Sequence, residues 1–377
     1  MKILFYGWGM DQSLASFETV CRHYAETREL AEMEISYVNI LDLDENMDYR
    51  REIGNECDLI AMVPSDFDYF CRHGYLADLT PFIGESFNRL FIDGLEELVT
   101  YDGKHMAIPT FTGVMGIIYN KDWFRKAGIP FPAPGWSWDD FMEAALRFRS
   151  LCKEPEQYPV QIAFTLDILE SVVLSKGGRY VSADGKSVSG YMDSPETAAA
   201  IDWVHRLISE ELLSPYSQSV LRESFEQGNI GMMVTWLYDI PQHQLDQAGV
   251  IGMPVIRGGN PAALPLPKMI GVSSASQDPE RAYRLLEYLT CTENEFTGQQ
   301  IDGQVYSLKH AAAPSENPVK AFIREELRYA KAGTYLKIAD WYGGLYDREL
   351  ERILEGKPAR EALQALAATV ALRYIIQ

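Results

Sequence analysis

The chain has 377 residues, of which 47% are hydrophobic and 23% charged, and its 54 acidic against 34 basic side chains leave a net charge of −20. One core stops growing at ~250–300 residues, so two domains are expected. The acidity repels phosphate backbones and anionic lipid headgroups, which argues against nucleic acid and membrane surface as partners; no apolar run reaches the ~18 residues of a bilayer span, and there is no disorder signature.

The N-terminus enters at once on the strand-like Lys2-Ile3-Leu4-Phe5-Tyr6, without the charged, apolar and small-residue zones of a signal peptide. An amphipathic helix near Ser13 to Thr27 follows, then strands at Met33 to Val38 and Leu59 to Val63. Such β-α-β-α alternation predicts a parallel sheet with helices on its faces, and ligands in such sheets sit beyond the carboxyl ends of the strands. Gly7-Trp8-Gly9 and Pro64-Ser65-Asp66 occupy two of those ends.

The turn Asp102-Gly103-Lys104 leads into an extended run ending at Ile108-Pro109, which resumes as Val114-Met115-Gly116-Ile117-Ile118-Tyr119. Two strands are expected to abut across the linker Thr110-Phe111-Thr112-Gly113. Asn120 then caps a short helix that Gly128 ends, and Pro130, Pro132 and Pro134 forbid its continuation. Ser137 is the N-cap of the next helix, with Asp140 as capping-box acid and Trp136 and Phe141 at the staple positions.

Beyond this point the chain becomes mainly helical. Helices are expected near Leu166 to Ser175 and from Pro195, where Ser194 is the N-cap and Ile201, Val204 and Ile208 share a face. Another helix ends at Gln227 with Gly228 at C′, and the strand Ile230 to Trp236 follows. Ile251 to Pro267, rich in Gly and Pro, reads as a linker, and Asp278 to Thr290 as a helix.

Cys21, Cys57, Cys71, Cys152 and Cys291 are widely spaced with no CxxC, which indicates neither a disulfide framework nor a zinc site and suits small core fillers. There is no GxSxG, HExxH or P-loop, and Gly7-Trp8-Gly9 lacks the third glycine of a dinucleotide fingerprint. The histidines are scattered. A pair of carboxylates such as Asp66 and Asp167 has the chemistry for glycoside hydrolysis, but a chain this acidic offers many such pairs.

The words YDGK, AIP, IIYNKDWFRKAGI and WSWDDF between Tyr101 and Phe141 stand in a fixed order with three others. These are CDLIAMVPSDFDYFCRHGYLADLTPF at Cys57 to Phe82, FEQGNIGMMVTW at Phe225 to Trp236 and DPERAYRLLEYLT at Asp278 to Thr290. Together they resemble the family 1 extracellular solute-binding proteins, the maltose-binding-protein-like group. The resemblance implies a two-lobed α/β fold of the periplasmic-binding-protein type II, each lobe a mixed sheet flanked by helices, with the ligand cleft between them. Three hinge crossings are expected near Pro109–Val114, Gly252–Gly259 and Gln304–Leu308. Lobe one would comprise residues 1–109 with 256–306, and lobe two residues 114–252 with 310–377.

By the same resemblance the protein is the extracellular substrate-binding component of an ABC importer, closing by hinge motion on a neutral mono- or oligosaccharide and handing it to membrane permease subunits. It would act as a monomer, without cofactor or metal and without enzymatic activity. The expected location is extracellular or periplasmic, lipid-anchored in the precursor, with the present chain the mature part. A carbohydrate-active enzyme and a ligand sensor for a membrane kinase are the alternatives.

A sugar offers apolar C–H faces and a ring of hydroxyls, so its receptor needs flat aromatic surfaces and fixed acceptors and donors. Trp8, Trp236 and Tyr238 lie past strand ends, Phe111 lies in the linker, and Trp341 matches the family's C-terminal stacking position. Asp66 is the candidate acceptor after the third strand, with the N-cap of a helix Phe67 to Arg72 as its rival role. Asp167 and Glu170 fall near a family position that faces the cleft from lobe two, with a solvated helix face as the alternative and as the preferred reading of Glu170. Met62 stands where maltose-binding members have a tryptophan and Gly113 where they have a glutamate, which argues against maltodextrin as the ligand.

Overall fold

The computed structural model describes residues 2–7, 11–27, 34–39, 57–84, 87–93, 95–163, 165–182, 185–214, 223–237, 246–291, 305–309, 318–331, 333, 349, 352–353 and 356–376. Its strands are β1 (Lys2–Gly7), β2 (Glu34–Asn39), β3 (Leu59–Met62), β4 (Ile108–Asn120), β5 (Tyr158–Ile162), β6 (Ile230–Trp236), β7 (Ala248–Ile251), β8 (Pro265–Val272) and β9 (Val305–Tyr306). The longer helices are α1 (Asp11–Thr27), α2 (Pro64–Arg72), α3 (Lys121–Ala127), α4 (Trp138–Arg149), α5 (Leu166–Ser175), α6 (Pro195–Ser209), α7 (Pro279–Cys291), α8 (Pro318–Glu326) and α9 (Ala359–Ile376). They divide between two compact units, Met1–Gly113 with Leu266–Arg328, and Val114–Pro265 with Tyr329–Gln377.

Unit one holds a mixed sheet in the order β2-β1-β3-β8-β4-β9. The β-α-β alternation appears as expected, with β1 parallel to both β2 and β3. β8 then enters antiparallel to β3, with Met269 opposite Met62, and β9 pairs antiparallel with β4. Both faces of this sheet are covered. Leu59 and Ala61 pack with Ile108, Ile270 and the α7 residues Leu285 and Leu289, while the alternate Ile60 and Met62 pack with Phe67, Phe70 and Met269. Such two-sided burial is why β3 reads as an unbroken apolar run.

In unit two the order is β7-β4-β6-β5, with β4 antiparallel to β6 and β7 and β5 parallel to β6. Local chemistry fixes the helix starts where the sequence predicts them. The Asn120 side chain accepts from the Asp122 and Trp123 amides, and α3 ends on Gly128 at φ 66°. Ser137 and Asp140 form a reciprocal capping box at the start of α4, and the rings of Trp136 and Phe141 sit 5.5 Å apart as the staple. Ser194 caps α6 by accepting from the Thr197 amide.

Three expectations are revised. Instead of two strands abutting at Thr110-Phe111-Thr112-Gly113, β4 is one strand of 13 residues. Phe111 and Thr112 pair with β9 and Met115 to Tyr119 pair with β6, so partners on both sides carry the ladder through Gly113. The Gly- and Pro-rich linker is shorter than expected, because Pro265 to Pro267 already belong to β8. Ala263 is fixed within unit two by Ala263 N–H to Tyr329 O and Lys331 N–H to Ala263 O, each 2.9 Å. The third boundary falls between Arg328 and Tyr329, whereas the sequence reading places it near Gln304–Leu308; Val305 and Tyr306 there pair with β4 inside unit one.

Among the described residues no helix is long and apolar enough to cross a membrane. The five cysteines are unbridged.

Candidate functional site

In unit one, α2 starts directly after β3. Pro64 takes the first helical position, where its missing N–H costs nothing, and Val63 is the N-cap without a side-chain bond. Asp66 is therefore the third residue of the helix and not its N-cap; its amide donates to Val63 O at 3.0 Å and the residue is 2% exposed. Asp68 is engaged elsewhere, by Arg72 Nε at 2.7 Å. Phe111 is a core residue in this structure, because β4 runs through it with both faces covered: it is 2% exposed and its ring meets Tyr306 edge-on at 4.8 Å.

In unit two the parallel strands β5 and β6 deliver α5 and Trp236 to the same end of the sheet. Asp167 is the second residue of α5, beside the positive end of the helix dipole. Trp236 is the last residue of β6, and its Nε1–H donates to Asp167 Oδ2 at 2.9 Å. The indole is 7% exposed, so it is packed rather than offered as an open face. The other carboxylate oxygen, Asp167 Oδ1, is buried without a hydrogen-bond partner in the protein, and so is Thr165 Oγ1. Thr165 occupies the N-cap position of α5 yet makes no side-chain cap bond, which leaves its hydroxyl uncommitted.

Glu170, one turn further along α5, is fully buried, so the solvated-face reading does not hold. Gln161 near the end of β5 is also fully buried, with neither amide atom paired in the protein. Strand alternation puts it on the face opposite Val160 and Ile162. The sequence reading missed Thr165 and Gln161. A signal existed for Gln161, the lone polar residue in the run Pro159-Val160-Gln161-Ile162-Ala163. Trp8, Tyr238 and Trp341 lie outside the described residues.

A surface depression of about 400 Å³ lies elsewhere in unit two, lined among others by Phe131, Pro132, Trp136, Asp140 and Glu143. Its acids are already committed. Asp140 accepts from Ser137 N and Oγ, which holds its carboxyl below the usual range, and Glu143 pairs with Arg147 at 2.9 Å. At the start of α5, by contrast, Asp167 Oδ1 and Thr165 Oγ1 are both without a partner in the protein.

A family model described as bacterial extracellular solute-binding protein matches residues 52–295. A Deinococcus radiodurans protein described as a "probable ABC transporter-binding protein" is 24% identical over 290 residues, covering 72% of this chain. The chain spans 64% of that protein's length. Among solved structures, an ABC substrate-binding protein of Listeria monocytogenes in complex with cycloalternan superposes with a TM-score of 0.80 at 18% identity, over 98% of this chain and 97% of that one. A solute-binding protein of Thermotoga lettingae bound with α-D-tagatose gives 0.80 at 19% identity, over 99% of both chains.

Proposed function

We propose, from the premise that this chain belongs to the bacterial extracellular solute-binding protein family, that it is the substrate-binding component of an ABC importer and takes a neutral mono- or oligosaccharide between its lobes. Hinge closure then presents the loaded form to membrane permease subunits. The observation that most supports a hydroxyl-rich ligand is the unspent carboxylate oxygen of Asp167 at the carboxyl end of a parallel strand pair. An ionised acceptor bonds a sugar hydroxyl about twice as strongly as a neutral one does.

Asp66 is the corresponding carboxylate of unit one, and Trp8, Tyr238 and Trp341 are assigned the stacking faces. A lipid anchor on the precursor belongs to the same reading. The family is one of binding proteins, so no turnover of the bound sugar is expected. Support from the solved neighbours is that both were captured with a carbohydrate and share the fold over nearly their whole length.

A thermal-shift screen against D-tagatose, lactose, maltotetraose and cycloalternan tests this. A ligand at 100 times its dissociation constant stabilises the native state by about 2.7 kcal/mol, which moves the melting point by several degrees. Flat melting curves across the panel and a wider sugar library would refute the carbohydrate reading.

A further inference from the structure

Trp236 and Asp167 are 69 positions apart in sequence and meet through one bond, indole Nε1–H to carboxylate Oδ2 at 2.9 Å. With 7% of its surface exposed, Trp236 has no open ring face on which a sugar could lie. Its N–H is also spent. Asp167 is the reverse case, since Oδ1 is buried and has no partner in the protein. A buried carboxylate oxygen left unmatched is costly, and the indole bond to its sister atom stops the group from turning toward another donor. Thr165 Oγ1, two residues earlier on the same turn, is buried and equally unmatched.

We infer that Trp236 is a positioning residue, not a stacking platform: it locks the Asp167 carboxylate so that Oδ1 forms a fixed acceptor for one hydroxyl of the ligand. The subsite therefore selects for an O–H donor at one position of the sugar. It discriminates against analogues that carry hydrogen, an ether or a second acceptor there. This inference rests on the carbohydrate reading above.

The experiment is calorimetric titration with whichever of D-tagatose, lactose and maltotetraose binds the wild type. If no sugar of the panel or of the wider library binds, the carbohydrate reading falls and this inference with it. Where one binds, Asp167→Asn keeps an oxygen for the indole N–H but turns an amide NH2 toward the ligand, so its affinity should drop by about tenfold or more. Trp236→Phe keeps the ring and removes the donor, and should lose affinity to a similar order. The double variant should bind no more weakly than Asp167→Asn alone, because both changes break one device.

A structural clip between β6 and α5 would behave otherwise, with both variants melting lower and binding as the wild type does. That result overturns the inference, as does full additivity in the double variant. Should Trp236→Phe fail to fold, a series of monodeoxy analogues on the wild type and Asp167→Asn decides. One analogue should lose affinity on the wild type and bind both proteins alike; if every analogue is discriminated equally by the two proteins, the inference is overturned.

Discussion

Glu326 closes α8 in unit one, and its burial, with Glu325 beside it, pushes its carboxyl up to about 7 from the usual 4.5. The native state therefore holds this proton more tightly than the unfolded chain does. Its contribution to stability is present in full below about pH 4.5 and is lost as pH rises through about 7. Glu326→Gln, neutral at every pH, should raise stability at pH 8 by on the order of 2 kcal/mol and leave pH 4 nearly unchanged. Urea titrations at the two pH values measure this. An equal effect at both would place the cause in packing rather than protonation. Asp167 is a different case, a half-buried acid held by one specific donor and with no partner in the protein on its other oxygen.

At the level of elements, β4 leaves no room for a side chain at Gly116. A side chain at Gly116 would place its Cβ 2.6 Å from Leu237 Cδ1 and 2.9 Å from Ile251 O, the second a backbone atom that cannot turn aside. Gly116→Ala should destabilise by ~1–3 kcal/mol, seen as a lower urea midpoint; an unchanged midpoint would mean that β7 can move away from β4. Local chemistry made much of the fold legible. Asn120, Gly128, Ser137 and Ser194 mark helix ends through bonds that reach only two to four residues, so a sequence window contains them whole.

Continuity of β4 through Pro109 and Gly113 was not legible. Those residues punctuate a local reading, while the partners that override them come from residues 232–236, 248–251 and 305–306. The family signature led to Asp167 and Trp236 separately, but nothing in the sequence pairs a tryptophan with an aspartate 69 positions away. Phe111 looked available because the linker reading left it uncovered, and a continuous strand with a filled face buries it instead.

For the molecule as a whole, a net charge of −20 makes salt a useful probe. A neutral sugar held by hydrogen bonds and ring contacts should keep its affinity within about twofold between ~0.05 M and ~0.5 M salt, since screening acts on charge pairs. Calorimetry at the two concentrations checks this, and a steep loss would point to a charged ligand. The position of β8 has a consequence for the order in which the chain can fold. In unit one β8 lies between β3 and β4, yet β5, β6 and β7 are all synthesised before it. A chain emerging N-terminus first carries two unpaired sheet edges, on β3 and β4, until residue 265 has left the ribosome. The first unit therefore cannot close before residues 265–272 have been made, and its N-terminal strands depend for the centre of their sheet on a segment far away in sequence.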